Sequence, residues 1–364
     1  MKRFVVIFAV IAAVFLGISP ISAYAEEQPE VGEDILRELD EILGEYAPEV
    51  SSGDLSSLSF GEILGFMRDR LADRLDAPRQ LLVTLFLVVV SGAVMRSFAG
   101  AAVSEQSADI YGMVCVMAAA AVIMPRLLAI YREVLGIVEL CGGFVAVFVP
   151  VLTTVAVCCG KFTAAGVCHG LILTASELMV QLSGAYLMPV LTVMAALAVT
   201  GSVFPESSMD GLAAMLKKGV TWLMTAVMTL FSGFVTLKCS IAGKADGAAV
   251  KTAKMLVSGF VPIVGGAVSD AYSTVKGSFE VIGGTVGTAG IVGIAVIMLP
   301  MVMELVIYRA VMWIGAAASD IFSAAEIGRL LRAIDGGLAI AQGVLVSYLV
   351  MFVVCAAILM QTLG

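Results

Sequence analysis

His169 is the only histidine in the 364-residue chain. A His-Glu-x-x-His zinc site or a three-His metal site is therefore excluded, because each needs at least two imidazoles. Cys158-Cys159 and Cys168-His169 offer soft ligands of the kind that suit zinc or copper, but their spacing matches no compact metal site. Glu177 lies eight positions after His169 inside an apolar run. Ionisable groups in such runs are costly and often mark proton or ion pathways, and this spacing lets the two line one sector of a helix. Glu139, and Glu304 with Arg309, raise the same question. Glu304 and Arg309 stand five apart, too far around one helix to pair with each other. Most of these residues sit near the ends of apolar runs, where interfacial placement and snorkelling explain them without function. Neither Gly-x-x-x-x-Gly-Lys-Ser/Thr nor Gly-x-Gly-x-x-Gly occurs to wrap a phosphate, and Gly-x-Ser-x-Gly is missing. The expectation is a protein that is not an enzyme, with no catalytic, cofactor-binding or metal-ligating residues and no cofactor.

The elements that carry these residues are those of an all-α polytopic membrane protein. Hydrophobic residues make up 60% of the chain, charged residues 14%, and the mean hydropathy is +1.04, where a soluble domain is about half apolar and a quarter charged. Apolar runs long enough to cross a bilayer, roughly 20 residues, fall near 81–103, 110–130, 137–159, 171–204, 219–237, 281–303 and 338–360. The run 171–204, interrupted around Gly184 and Pro189, allows two short spans or one span with a re-entrant piece, so seven or eight transmembrane helices are expected. Met255–Val268, with Gly259, Pro262, Gly265 and Gly266, is too short to span and too apolar for a water-exposed loop, and it predicts a re-entrant or interfacial segment. Lys238, Lys244, Lys251 and Lys254 outweigh Lys217 and Lys218. The positive-inside rule then favours seven crossings with the C-terminus inside.

The chain opens on Lys2-Arg3, an apolar run from Phe4 to Ile18, and the small-x-small triplet Ala23-Tyr24-Ala25. This predicts a secretory signal peptide over 1–25, cleaved after Ala25; an uncleaved first span is the alternative. Residues 26–79 then carry fifteen acids against five arginines, a net of −10, whereas 80–364 is charge-balanced. That acidic segment reads as exported, and its charge argues against a nucleic-acid ligand. Two amphipathic helices are expected in it, with stripes at Ile35, Leu39, Ile42, Leu43 and Tyr46 and at Phe60, Leu64, Met67, Leu71 and Leu75. They would pack on the membrane domain 80–364, on each other or on a partner. None of the seven cysteines lies in the exported segment, so they read as small apolar fillers.

Three further features are ambiguous. Residues 319–337 predict an interfacial amphipathic helix or a plain connector: Ser319-Asp320 as cap, a stripe of Ile327, Leu330, Leu331 and Ile334, the pairs Glu326/Arg329 and Arg332/Asp335, and Gly336-Gly337 as terminator. Phe148–Thr153 (FVPVLT) is echoed by Leu187–Thr192 (LMPVLT), a trace of the duplicated broken helices that transporters use. Gly283, Gly284, Gly287, Gly290 and Gly293 give a small face suited to intrachain packing or to homo-oligomer contact.

With Lys251-Thr252-Ala253-Lys254, Gly259-Phe260-Val261-Pro262-Ile263-Val264-Gly265 and Ser269-Asp270-Ala271 in a glycine-rich polytopic domain, the chain resembles the stage III sporulation protein AE family of endospore-forming bacteria. The likeness is strongest over 247–290, continues into 326–361, and is weak in 26–79. It implies a subunit made in the mother cell, set in the multi-pass membrane around the forespore with residues 26–79 in the intermembrane space. Other stage III sporulation membrane proteins of the same operon and a forespore membrane partner would complete a channel-like, secretion-like complex. The family carries no catalytic residues to transfer. An independent secondary transporter for a small solute, using the segments near Pro150, Pro189 and Pro262 with Glu177, is the alternative.

Overall fold

The computed structural model describes Arg37, Glu41 and residues 75–102, 105–204, 209–260 and 265–363. Within them the chain is entirely helical, in keeping with its long apolar runs: α1 Asp76–Ala102, α2 Glu105–Cys158, α3 Phe162–Leu182, a π-helical turn Ser183–Leu187, α4 Met188–Val203, α5 Met209–Phe260, α6 Gly265–Ile321 and α7 Ala325–Leu363. Six stretches of these are long and apolar enough to cross a membrane, α3 and α4 counting as one. The signal peptide, and all of 26–74 except Arg37 and Glu41, lie outside the described residues. Those two are helical and exposed, as the polar side of the first expected amphipathic helix requires.

The expectation of seven or eight spans changes because apolar runs 110–130 and 137–159 join into the single 54-residue helix α2. Tyr131 to Gly136, between them, continue the helix, and Gly136 lies inside it rather than ending it. Pro125 and Pro150 sit inside it, so the FVPVLT segment is unbroken. Only its echo is interrupted, since Pro189 falls in the first turn of α4 just after the π turn. For the expected re-entrant segment 255–268, the described parts are ends of long helices: α5 runs to Phe260 and α6 starts at Gly265, while 261–264 lies outside the described residues.

The turns between helices show why the chain reverses where it does. After α2, Gly160 adopts φ 77° while the Lys161 N–H reaches back to the Ala156 carbonyl, the left-handed cap that glycine makes without strain. Between α6 and α7, Ser323 takes the same role at φ 58° and the Ala324 N–H bonds to the Ser319 carbonyl. The residues read as an interfacial helix thus belong to the end of α6 and the start of α7. Gly336-Gly337 terminates nothing, because Gly337 lies against the Tyr131 hydroxyl on α2, a close approach that only glycine permits. The Ile327, Leu330, Leu331 and Ile334 stripe is fully buried.

The α6 helix runs antiparallel to both α2 and α7. Arg126 of α2 meets Glu304 and Tyr308 of α6, while Phe148 of α2 meets Gly290. Asp335 of α7 pairs with Arg309 of α6, and Met360 lies on Gly287. The rings of Phe144, Phe148 and Phe352 form the centre of the core, with centroids 5.4 to 6.2 Å apart. Gly287 and Gly290 are therefore used by intrachain packing. Because the Phe148 ring is buried and stacked, Gly290→Ala is expected to lower stability by about 1–3 kcal/mol. Gly284→Ala, with nothing within 4 Å, is expected to gain up to about 1 kcal/mol from helix propensity. Thermal unfolding of the two variants in lipid nanodiscs checks the contrast; equal shifts would contradict it.

At about 1.5 Å per residue, 54-residue α2 and 57-residue α6 are about 80 and 85 Å long. A bilayer's hydrocarbon core is only about 30 Å thick. The bundle divides accordingly into two apolar tiers. The taller tier holds α2 from Val134 to Cys158, α3, α4, most of α5, α6 before Glu304 and α7 beyond Gln342. The shorter holds α1, α2 from Ile110 to Met124, α6 from Val311 to Ile321, and the start of α7. The α1 helix belongs to the shorter tier alone: Leu85 lies by Gly315, and Gly92 by Cys115 and Ile327. Its start at Asp76 is level with the boundary between tiers.

Candidate functional site: a charged belt across the bundle

The boundary is a layer of charged and polar side chains. On α2, the Arg126 guanidinium donates to the Tyr308 hydroxyl at 2.6 Å and to Glu304 at 3.4 Å, sits 5.3 Å from the Tyr308 ring centroid, and approaches Glu133 at 3.8 Å. On α6, Arg309 donates to Asp335 of α7 at 2.7 and 3.4 Å and to the Gln342 carbonyl oxygen at 2.7 Å. Helix geometry explains the division. Glu304 and Tyr308, four apart, share the face turned to α2, while Arg309 is rotated towards α7. The expectation that Glu304 and Arg309 do not pair with each other holds; each finds its partner on another helix.

Glu304 is 2% exposed and Gln342 likewise. A buried carboxylate persists only when paired and hydrogen-bonded, which Arg126 supplies. The amide nitrogen of Gln342 is buried with no hydrogen-bond partner. At the far end of the shorter tier, Arg332 pairs with Asp320 at 2.8 Å, so the expected Arg332/Asp335 pair is replaced by contacts of each residue with α6.

Polar groups in the taller tier are spread along its length. His169 approaches the Thr153 hydroxyl at 3.2 Å, and Ser176 shares a hydrogen bond with Tyr348. Glu177 accepts from Gln181 at 2.8 Å on the exposed side of α3. His169 therefore turns towards α2 and Glu177 away from the bundle, and they line no common sector. Glu139 is exposed on α2. With Pro150 in an unbroken helix and Glu177 facing outward, two supports of the transporter alternative are gone. Cys168 and Cys239 are joined as a disulfide between α3 and α5, which corrects their reading as fillers. Cys158 is exposed and Cys159 buried, and no group of three metal-ligating side chains occurs among the described residues.

Asp246 escaped the sequence reading. Nearly buried on α5, it accepts the Thr163 and Ala164 backbone N–H bonds at 3.1 and 2.8 Å. A carboxylate from another helix thus caps α3, whose own cap residue Lys161 makes no side-chain bond. Arg126, Glu133 and Tyr308 were missed as well. The signal for the first two was Arg126 near the end of one apolar run and Glu133 seven residues later, before the next, which places both on one side of a continuous helix.

The fold and belt define a helical membrane protein whose charged groups tie helices together. The model for stage III sporulation protein AE matches residues 43–362, and the chain belongs to that family. It is 24% identical over 284 residues to the stage III sporulation protein AE of Bacillus subtilis (strain 168), covering 74% of this chain and 69% of that relative. No solved structure matches.

Proposed function

We propose that the protein is a non-enzymatic membrane subunit of the complex that joins mother cell and forespore during endospore formation. In this reading it sits in the mother-cell membrane around the forespore, with residues 26–79 in the intermembrane space. Its partners are other stage III sporulation membrane proteins of the same operon and a forespore membrane protein. One observation carries the reading: the bundle is more than twice as tall as the apolar core of one bilayer. The taller tier, about 37 Å along Val134–Cys158, suits the membrane. The shorter is about 22 Å along Ile110–Met124, below a span, although α1 within it has the length and hydropathy of one; in this reading the tier projects beyond the membrane. Its exposed Leu87, Ile110, Met117, Trp313 and Ile321, each above 60% exposure, then form an apolar surface outside lipid, and such surfaces mark protein contacts.

Because α1 starts level with the belt, the exported N-terminal segment joins the bundle at the membrane face from which the shorter tier projects. Five crossings follow, by α2, α3–α4, α5, α6 and α7. The C-terminus and Lys244, Lys251 and Lys254 then lie inside, while Arg126, Arg132, Arg309, Arg329 and Arg332 fall on the side of the shorter tier.

Sporulating cells provide the test. Loss of the protein is expected to abolish late forespore gene expression, and replacing Leu87, Met117 and Trp313 together by Ser to cut spore yield at least tenfold with normal membrane levels of the protein. Normal spores from the deletion strain would overturn the assignment; normal spores from the triple variant would remove the projecting tier from it.

A further inference from the structure

The outward face of α3 is unlike a face built for lipid. Gly166, Gly170, Thr174, Glu177, Gln181 and Gly184 follow one another at spacings of four, four, three, four and three, so they form one stripe along the helix. All six are exposed, opposite the buried Ala165, Cys168, Ile172, Ala175 and Met179. Gly166, Gly170 and Gly184 have nothing within 4 Å of a side chain built there. Small residues let a second helix approach closely, and polar side chains at membrane depth serve as hydrogen-bonding glue. A carboxylate and an amide turned directly to hydrocarbon would be costly, whereas another membrane helix offers them partners.

The same chain carries a complementary surface at the same height. Between α5 and α7, Met228, Thr229, Ser232, Val350, Met351 and Val354 line a cavity of about 320 Å³. Thr221, Thr225 and Thr229 form a column of hydroxyl groups on the exposed side of α5, each donating to the carbonyl four residues back, and Thr229 lines the groove. Two independent links fix the height. Asp246 on the α3 N-terminus and the Cys168–Cys239 bond set α3 antiparallel to α5. Nine residues along α3 from Cys168 is Glu177, and nine back along α5 from Cys239 is Leu230, between Thr229 and Ser232. The Ser176–Tyr348 hydrogen bond places Glu177 beside the same level of α7, next to Val350.

We infer that a second copy of this chain docks head to tail, its α3 stripe entering the α5/α7 groove so that Glu177 and Gln181 meet the hydroxyls of Thr229 and Ser232. Copies related by rotation about an axis normal to the bilayer must keep equal heights, and the two surfaces satisfy that condition. They lie on different faces, so the contact is heterologous and repeats from copy to copy. The inference needs the taller tier to lie in the membrane, but not the partners assigned above.

The test is photocrosslinking of the full chain in its own membranes, with a benzophenone amino acid replacing Gln181. A covalent dimer is expected, with the adduct mapped to residues 228–232 or 350–354 of the second copy. Gly170→Leu, which fills the close-approach site on an exposed face, is expected to reduce that dimer at least tenfold without lowering the unfolding temperature. Glu177→Gln, which keeps a hydrogen-bonding group, is expected to retain it, and Glu177→Leu to lose it. Adducts only with lipid, only with a different protein, or with α3 of the second copy would each overturn the inference, as would an undiminished dimer in Gly170→Leu.

Discussion

Arg309→Met is expected to destabilise the bundle by about 2–4 kcal/mol. The guanidinium makes three hydrogen bonds to two side chains of α7, and its loss strands the Asp335 carboxylate and the Gln342 carbonyl oxygen together. Breaking a fully buried pair costs about 3–5 kcal/mol. The lower range applies because the Arg309 and Asp335 side chains are 19% and 32% exposed, which leaves water to solvate the stranded acid. Replacing both partners, Arg309→Met with Asp335→Leu, removes the stranded charge and is expected to restore more than half of the loss. Thermal unfolding of the single and double variants in nanodiscs gives the coupling directly. Simple additivity would show that the belt contributes no mutual stabilisation.

Charge placed on the two tiers is expected to have opposite consequences. Leu230 and Leu87 are both exposed apolar residues, at 75% and 63%, but Leu230 lies midway down the taller tier and Leu87 in the shorter. Leu230→Asp sets a carboxylate at membrane depth, about 2.5–3.5 kcal/mol on insertion scales. Leu87→Asp meets water or a partner surface and leaves insertion unchanged. The measurement is the fraction of each variant integrated in membranes of a host without the sporulation proteins. Equal losses for both would place the two tiers in the same medium.

Composition made the membrane class and the helical fold legible, since a 60% apolar chain has few other solutions. The apolar runs located the helices but not their continuity. Tyr131 to Gly136 read as a gap between spans because hydropathy registers the charge of Arg132 and Glu133, while helix formation depends on backbone hydrogen bonds that these residues keep. Gly336-Gly337 read as a stop because the Tyr131 hydroxyl that requires a glycine there comes from another helix. The belt was half visible. Glu304 and Arg309 were marked as out of place, yet their partners lie 178 and 26 residues away in sequence, and pairing over such distances is set by the packing of α2, α6 and α7. Asp246 gave no signal, because a cap delivered from a different helix leaves no local motif.

Lipid is expected to cover only the taller tier. Single cysteines at Met117, Ile321 and Leu230, each exposed by more than 60%, on a background with the native cysteines replaced by alanine, test it with a water-soluble maleimide on purified protein in vesicles. Rapid labelling is expected at 117 and 321 from the side that carries the shorter tier, with protection at 230. Protection at 117 and 321 together with labelling at 230 would contradict it.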